Sequence, residues 1–207
     1  MANFNLNDFS ELDNLYRINL INSCSGYKSA NLLGTISTEG NTNVAVFSSV
    51  THLGSNPPTI GFILRPTTVP RNTYKNIKET GVFTINHIFE NIIEDAHHTS
   101  AKYPEEISEF DMTNLQIEIK ENCMAPFVKN SPIQMQMKFM EEVYIKSNDV
   151  LMIVSQIEQL YIQDNLLQED GFVNLSKGKV ATINGLDGYS IPNLKTRFEY
   201  QRPKKTK

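Results

Sequence analysis

The chain of 207 residues is 40% hydrophobic and 20% charged, a balance that places it among globular proteins and excludes a disordered chain. Its formal net charge of −4 gives no electrostatic reason to approach nucleic acid, and the terminal Lys204, Lys205 and Lys207 read as a solvated tail. Cys24 and Cys123 form no CxxC pair, which argues against a disulfide framework or a zinc site, and the polar residues interleaved through 1–20 exclude a signal-peptide core or a membrane span. The expectation is a cytoplasmic protein folded as one domain over 1–207.

From 8 to 20, Phe9, Leu12, Leu15, Tyr16 and Leu20 recur at intervals of three and four, the spacing of an amphipathic helix that would cover one end of a barrel. Residues 30–37 and 43–51 are rich in β-favouring side chains and flank Thr38-Glu39-Gly40-Asn41, so they predict a hairpin. Residues 59–64 read as a nearly all-apolar strand, buried on both faces and introduced by the extended Asn56-Pro57-Pro58. A helix over 70–79 follows, opened by Pro70 and stopped by Gly81. Residues 82–88 return as strand, 89–110 read as helical and irregular, and 115–119 alternate as strand.

The cleanest period-two signal comes later: Ile133, Met135, Met137, Phe139, Val143 and Ile145 point one way and Gln134, Gln136, Lys138 and Glu142 the other, predicting a strand with one core face and one wet face. Glu141 breaks the apolar row and is expected at a barrel mouth or an interface. Residues 151–162 form another strand, and Asp170-Gly171 a turn. Six or more antiparallel strands with short helices predict a mainly β fold closed into a barrel, since closure removes exposed edges.

Candidate chemistry concentrates between Asn31 and His87. A phosphate is well held by arginines and by the backbone N–H groups of a helix N-terminus, and Arg65, Arg71, Asn72 and Thr73 would stand near one such terminus. The hydroxyls and backbone of Ser48, Ser49 and Thr51 would line an adjacent cleft for a flat heterocycle. His97-His98 are adjacent, about 100° apart on a helix, and do not make a metal pair. His52 and His87 fall at strand ends and suit structural or rim roles.

The block resembles the flavin reductase-like family of FMN-binding split barrels. The resemblance rests on Asn43-Val-Ala45-Val-Phe47-Ser48, Pro57-Pro58, Thr73-Tyr-Lys-Asn76-Ile77 and Gly81-Val-Phe83-Thr-Ile-Asn86. It continues through 100–110, Ala125-Pro126-Phe127-Val128, Gly188-Tyr189 and 197–203. The family's Pro-Arg-Pro is replaced by residues 25–30, where Lys28 stands for the charge, and its Lys-Asp-Thr by Arg71-Asn72-Thr73. What the resemblance implies is a six-stranded antiparallel split barrel of Greek-key type, a homodimer, with FMN near the interface. Phosphate contacts then map to Ser48, Arg71 and Thr73, with Arg65 added. Isoalloxazine contacts map to the backbone of Val46, Phe47, Ser48, Ser49 and Val50, and the loop of Thr99, Ser100, Ala101 and Lys102 approaches the flavin.

FMN carries the hard chemistry, so no catalytic acid or base is expected of the protein. The leading expectation is an oxidoreductase moving a hydride from NADH or NADPH to the flavin, with Lys102 or a backbone N–H stabilising the reduced form. The alternatives are an electron-transfer flavoprotein served by a redox protein partner and a non-catalytic FMN-binding module.

Overall fold

The computed structural model describes residues 1–65 and 71–204. Pro70, Lys205 and Lys207, named above, lie outside the described residues. Two short helices, α1 (Leu6–Glu11) and α2 (Asn14–Cys24), come first. The expected single helix is divided because Asp13 caps α2, its carboxylate accepting from the N–H groups of Leu15 and Tyr16. Neither helix buries a residue, and Leu6, Leu15, Tyr16 and Ile21 stand exposed. They cover no barrel end within the chain.

The strands follow as β1 (Lys28–Ser29), β2 (Asn31–Ile36), β3 (Thr42–Phe47), β4 (Thr51–Ser55) and β5 (Pro58–Leu64). After helix α3 (Asn72–Thr80) come β6 (Val82–His87) and helix α4 (Ile93–His98). Then come β7 (Ile117–Lys120), β8 (Cys123–Val128), β9 (Ile133–Ile145), β10 (Val150–Ile162), β11 (Thr182–Asn184) and β12 (Gly188–Ser190). Gly40 turns the β2–β3 hairpin with φ +92°, and Gly81 ends α3 at φ +72°, where a side chain would be strained.

The main sheet has seven antiparallel strands in the order β3-β2-β6-β9-β10-β5-β4, one more than the six expected. Its two edges, β3 and β4, are consecutive in the chain and joined by only Ser48, Ser49 and Val50. The sheet therefore curls until its edges meet at that link, and the barrel is split there. Ser49 holds the seam: its hydroxyl donates to the Ile63 carbonyl (3.0 Å) and accepts from the Ile63 N–H (3.1 Å). Phe47 meets Phe62 edge-on across it, 5.2 Å between centroids.

Inside the barrel, Leu33, Phe62, Leu64, Ile77, Phe83, Ile85, Met137 and Ile153 form one apolar cluster, with α3 contributing Ile77 and thereby closing one end. On the outer face, Leu32 and Val44 pack with Ile88, Ala96, Phe110 and Ala181. A β7–β8 hairpin not foreseen as such lies over β6 and β9. Consequently Gln134 and Gln136, expected on a wet face, are each only 5% exposed. Gln134 Nε2 donates to the Val128 carbonyl and to Glu118, both at 2.8 Å, which makes burial of the amide tolerable. Alternation marks a polar face; it does not tell whether another hairpin will cover it.

The second half of β9 also departs from simple alternation. A bulge at Met140 shifts its pairing with β10, so Val143, expected inward, is 46% exposed and Glu142 turns toward α3. There it accepts from the Tyr74 hydroxyl (2.9 Å) and pairs with Lys78 (3.3 Å). Glu141 stands exposed beyond the bulge.

Asn86 ties three strands together. Fully buried, it donates from Nδ2 to the Leu32 carbonyl (3.2 Å) and the Thr84 hydroxyl (2.9 Å), and its Oδ1 accepts from the Val128 N–H (3.0 Å). Asn86→Ala strands a buried carbonyl and a buried N–H, so a loss of about 2–4 kcal/mol is expected in urea unfolding. A loss below about 1 kcal/mol would show that water replaces the amide.

Candidate functional site

Five of the sequence-predicted residues, Val46 to Val50, form the end of β3 and its link to β4. Because β3 is a sheet edge, only its β2 side is paired. The Val44 N–H points away from β2 and is taken by the carboxylate of Glu109 at 3.1 Å. In an antiparallel ladder the outward-pointing groups recur every second residue, so Val46 presents its N–H and C=O to the same open edge. Its side chain packs against the outer cluster that includes Ala96 of α4, the helix that leads into the turn of Ser100 to Lys102. Ser100, Ala101 and Lys102 are all exposed.

At the start of β3 a buried polar network joins strand to helix. With its amide oriented to satisfy every partner, Asn43 accepts from the hydroxyls of Thr35 (3.3 Å) and Thr73 (3.1 Å) and donates to Glu109 (3.3 Å). Asn76 Nδ2 donates to the Thr35 hydroxyl at 3.0 Å. Three residues of the recognised motifs, Asn43, Thr73 and Asn76, are therefore occupied with one another and fix α3 against β2 and β3. Thr73, expected to reach a phosphate through its side chain, is 6% exposed with its hydroxyl engaged. Its backbone N–H at the helix start is a separate matter. Burial pushes the Glu109 carboxyl up, against the pull of the Val44 N–H.

The N-terminus of α3 has no side-chain cap. Arg71 occupies the cap position with an extended backbone, and the N–H groups of Asn72, Thr73 and Tyr74 have no acceptor among the described residues. Arg71 is exposed, as is Arg65 at the end of β5. The Asn72 side chain turns instead to the Glu105 carbonyl (3.2 Å), beside the Lys75–Glu105 ion pair at 2.6 Å. Ser48 is half-buried in the β3–β4 link. Ser49, proposed for the same cleft, spends its hydroxyl on the Ile63 backbone. Val50 gives its carbonyl to the Ser29 hydroxyl at 3.0 Å.

Glu109 and Thr35 were not singled out as site residues. Glu109 falls within the 100–110 stretch of the resemblance but carried no role there; the value of both residues comes from meeting β3 across 65 and 8 residues of chain. The histidines are engaged locally: His52 with Ser55 (3.3 Å), His97 with the Tyr189 hydroxyl (3.3 Å) and His98 with the Tyr103 hydroxyl (2.6 Å). No group of three or more His, Cys, Asp or Glu among the described residues is placed to hold a metal. No helix among them is long and apolar enough to cross a membrane.

His87 differs, since burial drives its imidazole down to about 4. The unfolded chain takes up this proton as pH falls through about 6.5, while the folded protein resists until about 4. The associated stability is thus complete above the higher value and lost on acidification through that window, amounting to at most about 3 kcal/mol. Denaturant unfolding across that pH range should show the fall in the wild type, and His87→Gln should flatten it. Parallel curves for the two proteins would refute the assignment.

A family model described as flavin reductase-like domain matches residues 26–181. Among solved structures, a split-barrel protein from Shewanella frigidimarina NCIMB 400, proposed to be a flavin reductase, is 41% identical with a TM-score of 0.93, covering 97% of this chain and 100% of its own. Component B of nitrilotriacetate monooxygenase from Bacillus cereus is 20% identical with a TM-score of 0.82, covering 97% and 98%. The 2-nitrobenzoate 2-nitroreductase NbaA of Pseudomonas fluorescens is 20% identical with a TM-score of 0.81, covering 99% and 100%. These last two are likenesses of fold. With the family model spanning most of the chain and one relative at 41% identity over nearly all of it, the chain belongs to the flavin reductase-like family.

Proposed function

We propose that the chain is a cytoplasmic flavin oxidoreductase that binds FMN along the open edge of β3 and accepts reducing equivalents from NADH or NADPH. The observation that carries this is the pairing of two unsatisfied backbone arrays on one strand and its neighbour. The outward N–H and C=O of Val46 suit the hydrogen-bonding edge of a flat heterocycle, and the uncapped start of α3, with Arg71 and Arg65 on either side of residues 66–70, suits a phosphate. The residues present therefore fit the group.

FMN, when bound, supplies the centre that accepts a hydride. The chain holds and orients it. Arg71, Arg65 and the N–H groups of Asn72, Thr73 and Tyr74 bind its phosphate, while Thr73 and Asn72 act through the backbone because their side chains are engaged elsewhere. Ser48 would join them at the phosphate, the backbone from Val46 to Val50 would hold the ring system, and Ser100, Ala101 and Lys102 would approach the flavin, with the Lys102 ammonium favouring the reduced form. Glu109 ties this edge of β3 to the 100–110 segment by accepting the outward N–H of Val44, two residues before Val46.

The test is the visible spectrum of the purified protein followed by anaerobic titration with each nicotinamide. Flavin bands bleached by NADH or NADPH are the expected result. Bands that neither donor bleaches would replace this reading with electron transfer from a redox protein partner, or with a binding module. A colourless protein with no turnover in excess FMN would end it.

The reading includes a homodimer. The exposed Leu6, Leu15, Tyr16 and Ile21 of α1 and α2 and the tail aromatics Phe198 (83%) and Tyr200 (91%) are the surfaces that suit a second copy. The tail is anchored within the chain by Arg197, which bonds Asp170 at 2.6 Å and covers the Phe172 ring at 4.0 Å. Phe198→Ala with Tyr200→Ala leaves that anchor intact and should weaken the dimer roughly tenfold or more in sedimentation. An unchanged dimer would place the interface elsewhere.

A further inference from the structure

A cavity of about 260 Å³ lies between β1, the end of β6 and residues 175–182. Its walls are mainly apolar. Ala30, Val180 and Ala181 are buried within it, and Tyr27, Leu175 and Pro192 stand at its more exposed side. His87, Ser29, Ser176, Thr182 and the Tyr27 hydroxyl supply its polar groups and Lys28 its only cation among the described residues, and no carboxylate among them lines it. None of these residues belongs to the flavin contacts assigned above.

We propose that this cavity is a second small-molecule site, one that takes an uncharged aromatic ring bearing a single hydrogen-bond donor, of the phenol type. Size is the first argument: an apolar cavity of about 150 Å³ accommodates benzene, so this one has room for a substituted ring. Charge is the second. The Lys28 ammonium already donates to the carbonyls of Asn22 (2.8 Å) and Gly26 (3.2 Å), and burial keeps the His87 imidazole neutral near physiological pH. Beyond that engaged ammonium, no charged group among the lining residues offsets the cost of desolvating an anion.

The third argument sets the ligand's polarity. Asn31 is paired in register with His87 across β2 and β6 and is completely buried. Its Nδ2 donates to Ser29, but its Oδ1 has no donor. A neutral imidazole likewise carries one bare nitrogen, and the His87 ring has no hydrogen-bond partner among the described residues. Asn31 does not itself line the cavity, so the acceptor that a ligand would meet there is the bare His87 nitrogen. Ser29 also donates to the Val50 carbonyl, so the cavity adjoins the β3–β4 link without including it.

The site does not depend on the flavin reading, and its test separates the two. The four histidines give four imidazole Cε1–H signals; that of His87 is the one absent from His87→Gln. Phenol titrated into the wild-type protein with excess FMN should shift this signal saturably. Benzoate should require a concentration roughly tenfold higher or more. Leu175→Trp, at the exposed side, should weaken phenol binding without loss of fold.

No saturable shift would overturn the proposal. So would benzoate binding as tightly as phenol and losing that affinity in Lys28→Ala, which would make the site one for aromatic anions. Displacement of phenol by FMN would show the cavity to be part of the flavin site. A phenol shift in a protein that binds no FMN would leave this site standing and remove the flavin reading alone.

Discussion

Gly34→Ala is expected to be the most damaging single-methyl change in the protein. Gly34 lies in β2 where β8 crosses it, and an added Cβ would fall 2.1 Å from the Pro126 carbonyl oxygen and 2.6 Å from the Thr84 hydroxyl. Neither neighbour can withdraw. The Thr84 hydroxyl donates to that same Pro126 oxygen at 2.6 Å, and the β8 backbone is held two residues on by the bond from the Val128 N–H to Asn86. The strand must move as a unit, breaking both bonds, so a loss of at least about 3 kcal/mol is expected. Urea unfolding measures it directly. A loss under about 1 kcal/mol would mean that the β7–β8 hairpin is not fixed over β2 as the structure has it.

Arg71→Ala is expected to weaken FMN binding by roughly ten- to a hundredfold, the value of one charge-assisted phosphate contact of about 1.5–3 kcal/mol. The guanidinium is exposed and caps nothing through its side chain, so its loss should leave folding intact. Riboflavin supplies the control, because it has the same ring system and no phosphate. Its affinity, followed by the same fluorescence titration, should be unchanged. Equal weakening of both flavins would show that Arg71 supports the ring system or the fold, and no weakening of either would move the phosphate away from α3.

Much of the fold was legible before any coordinates. The β2–β3 hairpin was carried by β-rich runs on either side of a Gly-Asn turn, α3 by its opening proline and Gly81, and β9 by long period-two alternation. These are local signals, written within a few residues of the structure they specify. The twelve candidate residues were named because ordered motifs carry them, and five of them, Val46 to Val50, form the end of β3 and its link to β4.

The parts that were not legible depend on which segments meet. The continuous spacing over 8–20 hid the capping of a second helix by Asp13. Gln134 and Gln136 alternate like surface residues, yet a hairpin more distant in β7 and β8 buries them. The bulge at Met140, set by pairing with β10, reversed the sides of Glu142 and Val143.

The same holds for the site. Sequence by itself determined the residue types of β3 and α3 and the family they resemble, because motif order is a one-dimensional property. Only the tertiary structure decided that Asn43, Thr73 and Asn76 serve a shared buried network, that Ser49 stitches the barrel seam, and that Glu109 completes β3 from 65 residues away. The reason is physical: a buried polar group must find a partner wherever the fold brings one, and that partner's position in the chain is not constrained by any local pattern.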